Sequence, residues 1–141
     1  MTKAKKLKLC DWLLLAATAM MLASSIQLEV TGSRDAMWVW QHIIIGCCFF
    51  ANIIWHLHLH FGWKSWIQKL HKQKSSVTRW LVVFTLLAII SAIVAFFHWM
   101  DSYTHSSLGG VHGKIGFMFL VLAIGHIIRR IKFFKKSRKH I

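Results

Sequence analysis

The 141-residue chain predicts an all-α integral membrane protein, a four-helix bundle made of two repeated helical hairpins. Three observations carry that expectation. Four apolar runs are each about 20 residues long, the helical length that crosses a hydrocarbon core of about 30 Å. The composition is 56% hydrophobic, with eight Trp and ten Phe, which is more apolar surface than one small water-soluble domain can bury. The second and fourth runs also repeat one pattern of His, Gly and Phe at a constant offset.

The first run extends from Asp11 to Val30, behind Lys3, Lys5, Lys6 and Lys8. A basic start and the triplet Ala17-Thr18-Ala19 also suit a cleavable leader. The apolar stretch is long for a leader and the triplet falls in its middle, so the run is read as a span. The second run covers Trp38 to Leu59, the third Trp80 to Met100 and the fourth Val111 to Ile131. With no proline in the chain, no backbone donor is lost and no kink is forced. Trp12, Trp38, Trp40, Trp63, Trp66, Trp80 and Trp99 lie near run ends, where amphipathic rings favour the membrane interface.

Charge gives the orientation. There are 18 Lys and Arg against four acids, for a net charge of +14. One continuous basic surface would point to nucleic acid, but these residues form blocks between apolar runs, and their expected partner is membrane lipid with anionic headgroups. The first block precedes Asp11; the second is Lys64, Lys69, Lys72, Lys74 and Arg79; the third is Arg129, Arg130, Lys132, Lys135, Lys136, Arg138 and Lys139. Only Arg34 and Lys114 fall on the other side. Short basic loops stay cytoplasmic, so a multi-pass protein with cytoplasmic N and C termini is expected.

The repeat is H-x3-G-x2-F-x6-H. It appears as His42, Gly46, Phe49 and His56, and again as His112, Gly116, Phe119 and His126, offset by 70 residues throughout. The preceding runs correspond loosely, Asp11-Trp12-Leu13 against Arg79-Trp80-Leu81. A separation of 14 residues is about four turns, or roughly 21 Å of rise, so both histidines of a helix share one face. Two hairpins make the second and fourth helices parallel, setting His42 level with His112 and His56 level with His126. Two facing imidazoles suit a haem, whose iron takes two axial nitrogens while its macrocycle fills a helical core. Two haem b groups are therefore expected, held by His42 with His112 on the outer side and by His56 with His126 on the inner. Gly46 and Gly116 would clear space at the ring edge, and Phe49 and Phe119 would pack between the haems. No C-x-x-C-H occurs for covalent attachment.

A single intramembrane His is often just a polar residue bonded to a neighbouring helix, and small residues often mean only close packing. Four histidines in duplicated register, with matching Gly and Phe, point instead to function. The pattern resembles the bis-histidine motif of dihaem membrane b-type cytochromes. His42-Ile-Ile-Ile-Gly46 and Trp55-His56-Leu-His58, followed by Trp63-Lys64-Ser-Trp66, look like the second helix and exit loop of the flavinylation-associated cytochromes, a family of short four-helix bacterial membrane proteins. That resemblance implies the bacterial inner membrane and electron transfer between a quinol or other membrane donor and an extracytoplasmic flavoprotein or multihaem cytochrome, with quinone as a further candidate partner.

Several residues keep more than one reading. His60, one turn beyond His56, is a rival ligand; a metal site in His56-x-His58-x-His60 suffers because alternate helix positions point apart. Arg129, Arg130 and Lys132 suit haem propionates or topology, and Arg34, Lys114 and Tyr103 are their outer equivalents. His98 and His105 lie near the outer edge, facing a propionate, a quinone or nothing, whereas His71 and His140 sit in basic segments. Cys10, Cys47 and Cys48 lack metal-ligand spacing. Asp11, Glu29, Asp35 and Asp101 all avoid the span centres, which argues against a transporter built on a buried carboxylate. The alternative function is a divalent-metal transporter or sensor using the same histidines, since imidazole suits zinc, nickel and copper. Without a phosphate loop or a Ser/His/Asp set, an electron-transfer protein or subunit is expected rather than a stand-alone enzyme.

Overall fold

The computed structural model describes residues 2–32, 35–62, 64, 66–72, 75–102 and 107–137, with side chains except those of Trp66, Leu70, Ser102 and residues 130–137. The elements are α1 (Lys3–Thr31), α2 (Ala36–Phe61), α3 (Trp66–His71), α4 (Ser76–Ser102) and α5 (Ser107–Ser137), and no strand occurs among the described residues. Helices α1 and α2 pack together as one hairpin, and α4 and α5 as another.

All four long helices are long and apolar enough to cross a membrane. They overrun the apolar runs because hydropathy marks the hydrocarbon, whereas backbone hydrogen bonding marks the helix. Helix α1, for example, begins at Lys3, eight residues before the apolar stretch. Lysine is a good helix former, and a helix keeps its own amides satisfied on entry into lipid.

Each end of the first hairpin has an identifiable stop. Gly32 closes α1 in the left-handed conformation at φ 62°, its N–H donating to the Leu28 and Glu29 carbonyls, a geometry that disfavours residues with a Cβ. Asp35 opens α2 by accepting from the Met37 N–H at 2.9 Å, satisfying one orphan amide of the first turn. At the far end the Gly62 N–H donates to the His58 carbonyl, and Lys69 Nζ reaches back from α3 to the Phe61 carbonyl at 3.0 Å. The ammonium thus meets the negative end of α2. Helix α3 packs on α2 in a connection that the sequence reading treated only as basic.

The interior of the first hairpin is a seam of small side chains. Cys10, Ala17 and Ser24 are all buried and recur every seven residues, with Thr18 beside them. A seven-residue recurrence keeps one face of α1 against its neighbour, and small side chains let the backbones approach. Their hydroxyls need no water: Thr18 Oγ1 donates to the Leu14 carbonyl at 2.7 Å and Ser24 Oγ to that of Met21 at 3.0 Å. In the second hairpin Trp99, Phe119, Leu120 and Ala123 are buried and Thr85 Oγ1 donates to the Leu81 carbonyl. Ile26, Ile44, Ile90, Phe97, Phe117 and Ile128 are exposed, the surface a lipid-solvated helix presents.

Substituting Ala17→Leu should overpack the seam and destabilise the first hairpin by about 1–3 kcal/mol, whereas Ile90→Leu at an exposed position should be neutral. Denaturation of both variants in detergent micelles checks the contrast.

Candidate histidine site

The duplicated histidines lie on the second helix of each hairpin, and a serine from the first helix meets the leading one. In the first hairpin Ser24 Oγ lies 2.9 Å from His42 Nδ1; in the second, Ser91 Oγ lies 3.0 Å from His112 Nδ1. The sequence separations are 18 and 21 residues, a difference of just under one helical turn. Two separate pieces of chain thus build the same contact.

The contact fits one proton position on the imidazole. Each serine hydroxyl lies against a carbonyl of its own helix, Met21 at 3.0 Å for Ser24 and Ala88 at 3.1 Å for Ser91. A hydroxyl has one hydrogen and a carbonyl can only accept. Both contacts are satisfied at once when the hydroxyl donates to the carbonyl and accepts from Nδ1–H. The neutral imidazole then carries its lone pair on Nε2, the form in which histidine ligates a metal, with the other nitrogen oriented by a second-shell acceptor.

His56, four turns further along α2, has a different partner. Its Nδ1 lies 3.0 Å from Asp11 Oδ1, with both side chains 18% exposed. The distance is that of an ion pair, but the alignment falls short of a hydrogen bond, and His56 Nδ1 is buried without a hydrogen-bond partner. The His60 ring stands 4.5 Å from the His56 ring, centroid to centroid. Ligand atoms of Asp11, His56 and His60 lie within 4.8 Å of one another. In the loose register of the two hairpins Arg79 corresponds to Asp11, so the carboxylate at the foot of His56 has no sequence counterpart below His126.

Phe49 and Phe119 are 8% and 7% exposed, so the paired aromatic positions of the repeat share an environment. The glycines do not. A Cβ on Gly46 would touch Met21 Sδ at 4.0 Å, whereas one on Gly116 would meet nothing within 4 Å. The same open space adjoins Gly110, Gly113 and Gly125, so it does not single out Gly116.

His58 is exposed and lines an open cleft of about 400 Å³ with Lys3, Lys6, His60 and Lys69. His71, His98, Lys114 and Arg129 are exposed, and Cys10, Cys47 and Cys48 are unbridged thiols. Arg34, Trp63, Lys74, Tyr103, His105, Arg138, Lys139 and His140 lie outside the described residues, as do the side chains of Trp66, Arg130, Lys132, Lys135 and Lys136. Sequence reasoning missed Ser24, Ser91 and the partnership of Asp11. Its available signal was a polar residue inside the first run of each hairpin, upstream of the histidine by about the same distance. Comparison with protein-family models, curated proteins and solved structures gives no match.

Long-range proton–nitrogen correlation spectra of histidine-labelled protein, in its ligand-free form, should show the Nδ1–H tautomer for His42 and His112. Ser24→Ala should relax that preference at His42 and leave His112 unchanged, and Ser91→Ala should do the reverse.

Proposed function

We propose that the chain is a dihaem b-type membrane cytochrome that carries single electrons across the bacterial inner membrane. The observation that carries this reading is the repeated Ser–His contact, which presets an Nε2 ligand in each of two hairpins of duplicated register. A histidine that only packed between helices would need one partner; it would not need the same proton position built twice.

In this reading the hairpins set α2 and α5 parallel, with His42 and His112 holding an outer haem and His56 and His126 an inner one. Phe49 and Phe119 fill the space between them. The bound haem supplies the one-electron chemistry. The chain's own residues do the rest: Ser24 and Ser91 hold the ligand tautomer, Asp11 sets a carboxyl group beside His56, and the apolar helices exclude water. The basic blocks keep both termini cytoplasmic. A quinol or other membrane donor would meet one end, and an extracytoplasmic flavoprotein or multihaem cytochrome the other; a flavin-carrying partner is the one that the resemblance to the flavinylation-associated cytochromes implies.

One observation favours the metal-handling alternative, the cluster of Asp11, His56 and His60. Among the described residues it lies at one end of one hairpin, and a transport path needs successive sites. A local metal site is therefore the fuller account of that cluster.

Haem content per chain, by pyridine haemochrome against protein, tests the pairing. His42→Ala and His112→Ala should each leave about one haem, the inner, and His56→Ala and His126→Ala should each leave the outer. Unchanged haem content in all four variants would sink the pairing.

A further inference from the structure

We infer that Asp11, His56 and His60 form a binding site for a divalent transition metal of the zinc class, which in the reading above overlaps the inner haem position at His56. His56 and His60 are one turn apart on α2, the i, i+4 spacing that sets two imidazoles on one helical face for a metal. Asp11 comes from α1 and completes the set across the hairpin. Bonds of about 2.0–2.2 Å in a tetrahedral zinc site separate adjacent ligand atoms by roughly 3.3 Å. The Asp11 Oδ1 to His56 Nδ1 distance of 3.0 Å is already close to that edge, and the three ligand atoms fall within 4.8 Å of one another, within reach of a side-chain rotation.

Two further features point to a cation. His56 Nδ1 is buried without a hydrogen-bond partner, an uncommon condition for a polar atom and one that a metal bond would relieve. The Asp11 carboxylate is mostly buried, two turns inside α1, where a charge requires compensation. Imidazole with carboxylate is a zinc-type donor set, and three protein ligands leave the fourth position open to water or an anion. His60 lines the open cleft, which supplies a route from the aqueous side. Lys3, Lys6 and Lys69 line the same cleft; their ammonium groups oppose a dication, keep the affinity below that of a closed four-ligand cage and favour an anion in the fourth position.

The test is calorimetric titration of Zn²⁺ into the purified full-length protein in detergent, with helicity checked for each variant. One zinc per chain is expected. Asp11→Asn and His60→Ala should each weaken binding at least about 10-fold, the scale on which even outer-shell partners of metal sites act. His58→Ala, exposed and off the shared face, should stay within about two-fold. Should Asp11→Asn lose helicity, His60→Ala decides alone. Equal affinity in parent and His60→Ala would overturn the site, as would an equal loss in His58→Ala, which would indicate only a surface histidine cluster. Because His56 serves both sites, the titration is made on haem-free protein: zinc binding there with no haem uptake on reconstitution would end the haem reading alone, and haem uptake on reconstitution with no zinc binding by the haem-free protein would end this one alone.

Discussion

Lipid offers no hydrogen bonds, and nearly everything in this chain follows from that single deficiency. A backbone amide left open in hydrocarbon costs several kcal/mol, so the chain crosses only as helix, and its helices run past the apolar stretches until they reach polar surroundings. The same demand falls on side chains. Thr18, Ser25, Thr31 and Thr85 all return their hydroxyl protons to carbonyls of their own helices. Where a polar group cannot be satisfied locally, it draws in a partner from the neighbouring helix, and in each hairpin that partner reaches a histidine.

This is why the histidines are informative. An imidazole inside a membrane segment carries two nitrogens of different character, and a neighbour that fixes one fixes the chemistry of the other. Ser24 and Ser91 each lie against a carbonyl of their own helix, and a hydroxyl that donates there accepts from His42 or His112. The two hairpins agree at these positions and diverge at the lysine-rich end, where Asp11 stands beside His56 and the second hairpin carries Arg79 in the loosely equivalent place. A neutral hydroxyl and a carboxylate are different neighbours for an imidazole: the carboxylate has no hydrogen to spend when ionised and offers two acceptor oxygens. The lysine-rich end of the first hairpin therefore sets a carboxylate beside its imidazole, where the other positions set a hydroxyl.

The sequence made the four spans, the pairing into hairpins and the 70-residue repeat legible, because each depends on hydropathy or on residue identity at fixed spacing. The helix ends were less legible. Lys3 to Cys10 are helical although hydropathy excludes the lysines, and Trp66–His71 forms α3 although the segment looks like a basic connection. The contacts that orient the histidines were not legible at all. Ser24 and His42 are 18 residues apart on different helices, so their meeting depends on hairpin register and on the small residues Cys10 and Ala17 that bring α1 close. Asp11 was visible as an acid away from the centre of its span, but its place beside His56 comes from the same register.

The central claim is that the chain's duplicated histidines form two bis-imidazole haem sites. It is tested most directly on the parent protein, purified from cells supplied with haem, by visible spectra in the oxidised and dithionite-reduced states with the haem quantified against protein. The account predicts sharp reduced α and β bands of low-spin b-type haem at about two haems per chain. A folded, expressed and colourless protein would contradict it.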